Sequence, residues 1–127
     1  MSQPIAIVTG GAGFIGSHMV DLLLDNGYRV HVIDNLSGGH ERNLAHHSKN
    51  VDLNLETTDI CHLDDNSNVF KGAKYIFHYA GIGDIVPSIE KPTDYMNTNV
   101  QGTVRVLEAS RAAGIEKFVY AASSSCY

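Results

Sequence analysis

The stretch Thr9-Gly10-Gly11-Ala12-Gly13-Phe14-Ile15-Gly16 limits what this chain can fold into more than any other. The β-branched run at residues 4–9 (PIAIVT) leads into it and reads as a buried parallel strand. Residues 13–26 follow, where Ile15, Met19, Val20, Leu22, Leu23 and Leu24 suit a helix with a wide buried face, closed by Asn26-Gly27. Strand, glycine turn and helix in this order satisfy the context that a G-x-G-x-x-G phosphate loop requires. Gly10 is expected to allow a sharp turn, Gly13 to leave room for a diphosphate, and Gly16 to let the helix pack closely. Free N–H groups at the helix start, aided by its dipole, then bind phosphate oxygens without any Lys or Arg.

Strand-like and helix-like segments alternate along the rest of the chain. Arg29–Asp34 (RVHVID) reads as the second strand. Residues 35–50 read as a loop with a short helical turn near 41–45, and residues 51–55 as a third strand near a sheet edge. Residues 60–69 suit a loop with a short helix, and residues 75–79 a fourth strand. Residues 91–113 suit one helix, with Met96, Val100, Val104, Leu107 and Arg111 at helical spacing and Val106 and Ala109 widening the face. Ala113-Gly114 ends it, and residues 117–122 form a fifth strand. This alternation implies right-handed crossovers and a parallel sheet in a single α/β domain over residues 1–127.

An acid closes the second strand. Asp34 lies 18 residues beyond Gly16, where a carboxylate can accept both ribose hydroxyls of an adenosine. It would repel a 2′-phosphate, because two charges ~4 Å apart at an effective dielectric near 20 interact by about 4 kcal/mol. The pattern therefore selects NAD over NADP, with Arg42 the one nearby cation that could favour the phosphate. A formal charge of −5 argues against nucleic acid or an anionic membrane as partner. The start MSQPIAIVTG has neither a basic region nor a long apolar run, no stretch approaches the ~20 apolar residues of a membrane span, and a soluble cytoplasmic domain is expected. Cys61 and Cys126 suit neither a disulfide framework nor a structural zinc site. His40, His46 and His47 lack a carboxylate or Cys at ligand spacing, so a solvated loop with no metal is expected.

TGGAGFIG, DNLSGG at 34–39, DI at 59–60, HYAG at 78–81 and NTNVQGT at 97–103 together resemble the extended short-chain dehydrogenase/reductases. The likeness is strongest to the NAD-dependent sugar-nucleotide epimerases and dehydratases of the UDP-glucose 4-epimerase type, and it runs through nearly all of the chain. The resemblance implies a Rossmann-type doubly wound sheet of strand order 3-2-1-4-5. It also implies that the chain is the amino-terminal portion of a longer enzyme, without the sixth strand and the substrate domain. By the same resemblance Gly10, Gly13, Phe14, Ile15 and Gly16 serve the pyrophosphate. Asp34, Asn35, Leu36, Ser37, Gly38 and Gly39 surround the adenosine ribose. Asp59 meets the adenine amino group with Ile60 beside the ring, and Tyr79, Ala80, Gly81, Ile82 and Asn99 pass along the cofactor. Read from the residues alone, Asp59 could instead cap the next segment, Asn99 could face solvent or bond to a neighbouring strand end, and His78 suits a packed strand end better than a base.

The serine run after the fifth strand matches the family segment that precedes a Tyr-Gly pair. It puts Ser123, with Ser124 and Ser125, where the resemblance implies a catalytic hydroxyl that bonds the reacting sugar oxygen. The family base, a Tyr followed four residues later by Lys, has no match within the chain. Ser124 and Ser125 stand where dehydratases carry Asp-Glu, which disfavours water elimination, and Gly83 stands where the nearest epimerases often carry Lys. The implied function is epimerisation at C4 of a nucleotide sugar, a UDP-sugar, by a homodimer when complete. The alternatives are a dehydratase or reductase of the same family, or a non-catalytic NAD-sensing module on the same fold.

Overall fold

A computed structural model describes residues 3–64, 67–83 and 85–123. Its centre is a five-stranded parallel sheet: β1 (Ile5–Thr9), β2 (Arg29–Asp34), β3 (Leu53–Thr57), β4 (Ala73–His78) and β5 (Lys117–Tyr120), in the spatial order β3-β2-β1-β4-β5. This is the Rossmann-type order expected from the sequence. β1 is central and pairs with both β2 and β4, so its residues are apolar without alternation. Successive side chains still point to opposite faces and build two cores. Ala6, Val8, Val30 and Val32 pack beneath α1 (Phe14–Asp25), through its Val20 and Leu23. Ile7, Ile33, Ile76 and Phe70 pack beneath the helix that precedes β5, through Val106 and Ala109. Each fully buried aliphatic side chain of this kind contributes roughly 1.5–3 kcal/mol. Among the described residues no helix is long and apolar enough to cross a membrane.

Five expectations need correction. The third strand begins two residues later than its alternation suggested. Asn50 folds residues 50–53 into a turn by accepting from Asp52 N at 2.9 Å through its side chain and from Leu53 N at 3.3 Å through its carbonyl. Where a loop with one short helix was expected over residues 60–69, the described residues form two one-turn 3-10 segments, Ile60–His62 and Asn68–Phe70, with Ile60, Leu63 and Phe70 buried. Strand four starts at Ala73 and strand five ends at Tyr120. The single helix expected over residues 91–113 is three segments, α3 (Pro92–Met96), a π-helical stretch Asn97–Gly102 and α4 (Thr103–Ala113), and a further helix, α2 (Ile85–Glu90), precedes them. α2 was not anticipated, because Pro87 and its exposed apolar residues obscure the helical pattern.

The buried face of that helical run also differs from the one its apolar spacing indicated. Met96, Val100, Val104 and Leu107 are exposed, whereas Gly102, Val106, Ala109 and Ser110 are buried. Small residues win because the helix approaches closely: a Cβ on Gly102 would overlap the Ile60 side chain. Ser110 is accommodated by donating its hydroxyl to Val106 O at 2.6 Å, so this buried hydroxyl is paired. Similarly α1 buries Gly16, Ser17, Val20 and Leu23 while Ile15 and Leu22 face outward. Both helix stops hold, with Gly27 and Gly114 at φ +83° and +71°. Val106→Ala should therefore cost roughly 2 kcal/mol in urea unfolding, and its neighbour Leu107→Ala less than about 1 kcal/mol. Equal losses would contradict this assignment of faces.

Candidate functional site

The carboxyl ends of β1, β2 and β4 splay apart around a crevice of about 200 Å³. Gly10 makes the first turn at φ +69°, with its N–H donating to Ile33 O at 2.8 Å. A Cβ there would sit 2.8 Å from Ala80 N and 2.9 Å from the Tyr79 carbonyl carbon, so only glycine fits between the two neighbouring strand ends. Gly16 is equally confined, since its Cβ would strike the Gly10 carbonyl. The helix therefore packs on the turn itself. Gly13 differs: its only near neighbour would be Gly10 O at 3.2 Å, and its open side faces the crevice. Gly13 caps α1 without a side chain, so the N–H groups of Phe14, Ile15 and Gly16 lack intrahelical acceptors at the positive end of the helix.

Asp34 faces this turn and is 8% exposed. Its Oδ2 accepts from Ala12 N at 3.0 Å and its Oδ1 from Leu36 N at 2.8 Å. Each oxygen keeps a further lone pair for a ligand hydroxyl. Leu36 adopts φ +64°, an uncommon conformation for a branched residue, and its side chain packs towards the core. The Ala12 carbonyl is held from the other side by His40 N at 3.0 Å and Asn43 Nδ2 at 2.7 Å. Asn43 is a structural residue of the site that carried no sequence signal. Asp59 both lines the crevice and caps the turn after it, accepting from Cys61 N at 2.8 Å. That backbone bond, ahead of other causes, holds its carboxyl below the ordinary carboxylate range.

The floor near β4 rests on a buried hydrogen-bond chain. Thr9 Oγ1 accepts from Tyr79 N and Ala80 N, each at 3.1 Å, so its own hydroxyl must donate to His78 Nδ1 at 2.6 Å. The proton of His78 is therefore on Nε2, donating to Thr103 Oγ1 at 3.0 Å, and Thr103 donates onward to Asn99 O at 2.8 Å. Asn99 completes the chain, accepting from Ile82 N at 2.7 Å and donating to Ile82 O at 2.9 Å. His78 is 1% exposed, and burial pushes its pKa down to about 4. It is a packed strand-end residue whose environment keeps it neutral.

The crevice gathers Gly10, Gly13, Asp34, Asn35 and Ser37 to Gly39 with Asp59, Ile60 and the wall Tyr79 to Ile82. Thr58 and Thr98 join them without having been anticipated. Phe14, Ile15, Gly16 and Leu36 stand outside this lining, and Asn99 acts on it through Ile82. Among the described residues no Lys or Arg lines the crevice, and Arg42 borders a different hollow beside Leu44 and Leu55. On the far side of the same 79–82 wall lies a second hollow of about 460 Å³, where Ser123, Ser88, Tyr95 and Asn99 meet. Ser124 and Ser125 lie outside the described residues. An open Gly13, unpaired helix-start amides and a carboxylate with spare lone pairs fit a dinucleotide lacking a 2′-phosphate.

Comparison with known proteins agrees. The family model described as "NAD dependent epimerase/dehydratase family" matches residues 6–127. A bifunctional UDP-glucose 4-epimerase and UDP-xylose 4-epimerase from Pisum sativum is 37% identical over 134 residues, covering 99% of this chain and 38% of its own length. The solved UDP-N-acetylglucosamine 4-epimerase from Methanobrevibacter ruminantium superposes with a TM-score of 0.89 at 34% identity, over 100% of this chain and 40% of that one. A dTDP-glucose 4,6-dehydratase from Streptomyces venezuelae, solved with NAD bound, gives 0.82 at 34% identity over 90% of this chain and 38% of its own. The chain thus spans about two fifths of the length of these relatives.

The buried chain through His78 makes a direct prediction. The unfolded residue titrates at 6.5 and the folded one at about 4, so between those values only the unfolded state gains a proton. Stability should fall as pH drops from 6.5 towards 4, by up to about 3 kcal/mol from this residue. Histidine nitrogen NMR at pH 5.5 should find His78 neutral with the proton on Nε2. Titration near 6.5 would contradict the network.

Proposed function

The chain belongs to the NAD-dependent epimerase/dehydratase family, and on that premise we propose that it is the NAD-binding part of a sugar-nucleotide 4-epimerase acting on UDP-sugars. The observation that carries this reading is the Asp34 carboxylate on the wall of a crevice that no Lys or Arg lines among the described residues, with the amides that open α1 beside it. The amides of Phe14, Ile15 and Gly16 would hold the pyrophosphate, with Gly10 and Gly13 giving it room. Asp34 would accept the adenosine ribose hydroxyls, within the loop from Asn35 to Gly39. Asp59 would receive the adenine amino group, and Ile60 would lie against the ring. The wall from Tyr79 to Ile82, steadied by Asn99, would lead the rest of the dinucleotide towards the second hollow.

NAD, when bound, supplies reversible hydride exchange with C4 of the sugar. Ser123 lines the second hollow, where its hydroxyl would donate to the sugar C4 oxygen and help pass its proton, flanked by Ser124 and Ser125. The base itself, a Tyr-x-x-x-Lys pair, has no counterpart in these 127 residues and is assigned to the remainder of a longer protein. The exposed apolar stripe Val100, Val104 and Leu107 supports a homodimer, and the acidic charge balance supports a cytoplasmic setting.

The likeness to a solved dehydratase keeps one rival in view, and one experiment separates the two. The complete protein, given UDP-glucose and followed by proton NMR, should produce the C4 epimer. An accumulating 4-keto product would identify a dehydratase, and an unchanged sugar with NAD bound would favour a sensing module. Within the cofactor site, Asp34→Asn should weaken NAD binding by roughly tenfold or more in calorimetry, as loss of a hydrogen bond to a charged group implies. The same change should narrow the preference over NADP. An unchanged preference would contradict the role given to this carboxylate.

A further inference from the structure

The two consecutive histidines that close the 3-10 segment Glu41–His47 do not point into solvent independently. Both reach the same oxygen of Asp21, on the second turn of α1: His46 Nε2 lies 2.7 Å and His47 Nε2 2.6 Å from Asp21 Oδ1. Their rings are 4.0 Å apart at 44°. The sequence offered no carboxylate at ligand spacing from these histidines, yet the fold delivers one from 25 residues upstream. Burial by itself would raise the Asp21 carboxyl, but the bonds from His47 and His46 outweigh it and the net shift is downward. The carboxylate therefore stays ionised beside two imidazoles.

We propose that Asp21, His46 and His47 form a site for a divalent transition-metal ion that fastens the segment following β2 to α1. One donor atom from each of the three residues already lies within 4.8 Å of the others. Metal–ligand bonds of ~2.0–2.2 Å put the donors of a tetrahedral site about 3.3 Å apart. The observed separations of 2.6 and 2.7 Å thus need to open by roughly 0.6–0.7 Å. Side chains that are 53% and 38% exposed, those of His46 and Asp21, can make that adjustment. The imidazole protons move off Nε2, to Nδ1 or to solvent, as the ion takes their place. Two imidazoles and one carboxylate suit Zn²⁺, Ni²⁺ or Cu²⁺ rather than the oxygen-seeking Mg²⁺ or Ca²⁺. The exposed side leaves room for water to complete the shell.

The position gives the site a consequence. The same segment begins with His40 and Asn43, which grip the Ala12 carbonyl beside Asp34. An ion at its far end would restrain the segment that follows the ribose loop from both ends.

Zn²⁺ itself is the probe. Chelator-treated, tag-free complete protein titrated with ZnCl₂ in a calorimeter should bind one ion at this site, with a Kd of roughly 10 µM or tighter. Long-range proton–nitrogen NMR of the same unmutated sample should show the Nε2 signals of His46 and His47 moving together on addition of Zn²⁺. The double variant His46→Ala/His47→Ala should bind at least about tenfold more weakly, whereas His62→Ala and Cys61→Ala should bind as the parent does. No binding by the parent up to ~1 mM, no movement of those two signals, or undiminished binding by the double variant would each overturn the proposal.

Discussion

Three stretches of backbone meet at Gly10, and nearly everything the site does depends on that meeting. The amide of Gly10 is tied to the end of β2, and its missing side chain lets the chain leaving β4 pass within contact distance. Only because β2 and β4 both flank this turn can Asp34 reach the Ala12 amide while Tyr79 and Ala80 close the opposite wall. A side chain at Gly10 would push the two walls apart, and one at Gly16 would lift α1 off the turn. The crevice is thus a property of backbone approach first and of polar side chains second.

Around that point the polar groups are arranged so that few are wasted. The buried hydroxyl of Thr9 organises two amides and fixes which nitrogen of His78 carries a proton. The chain continues through Thr103 to Asn99 and so to Ile82, which ties the sheet interior to the wall shared by the two hollows. Asp34 uses both oxygens and Asp59 one on backbone N–H groups, which holds the carboxylates in place and leaves lone pairs for a ligand. In the proposed complex the same atoms would both position and bind.

Much of this was legible in the residues. The parallel sheet followed from alternation and the glycine turn with its later acid from spacing, because both are local and periodic, whereas the strand order came from the family resemblance. What escaped notice depends on tertiary contacts. The outward-facing Val104 and Leu107 have the same hydropathy as a core face, and only the close approach of Gly102 to Ile60 shows that the other side of the helix is buried. The strand shift at Leu53 depends on the turn made by Asn50, and the role of Asn43 depends on a carbonyl 31 residues away. Asp59 and Asn99 show a different limit: capping and site-lining readings of Asp59 hold together, and Asn99 bonds a loop backbone that itself forms the wall.

The central claim is that a diphosphate sits on the turn after β1 while a ribose is held at the end of β2. Backbone amide NMR of the protein titrated with NAD tests it most directly. The account predicts that the signals of Gly13 to Gly16, Asp34 to Gly39 and Tyr79 to Ile82 move together along one binding curve. Shifts confined elsewhere, or saturation that leaves the amides of Phe14 and Ile15 unmoved, would contradict it.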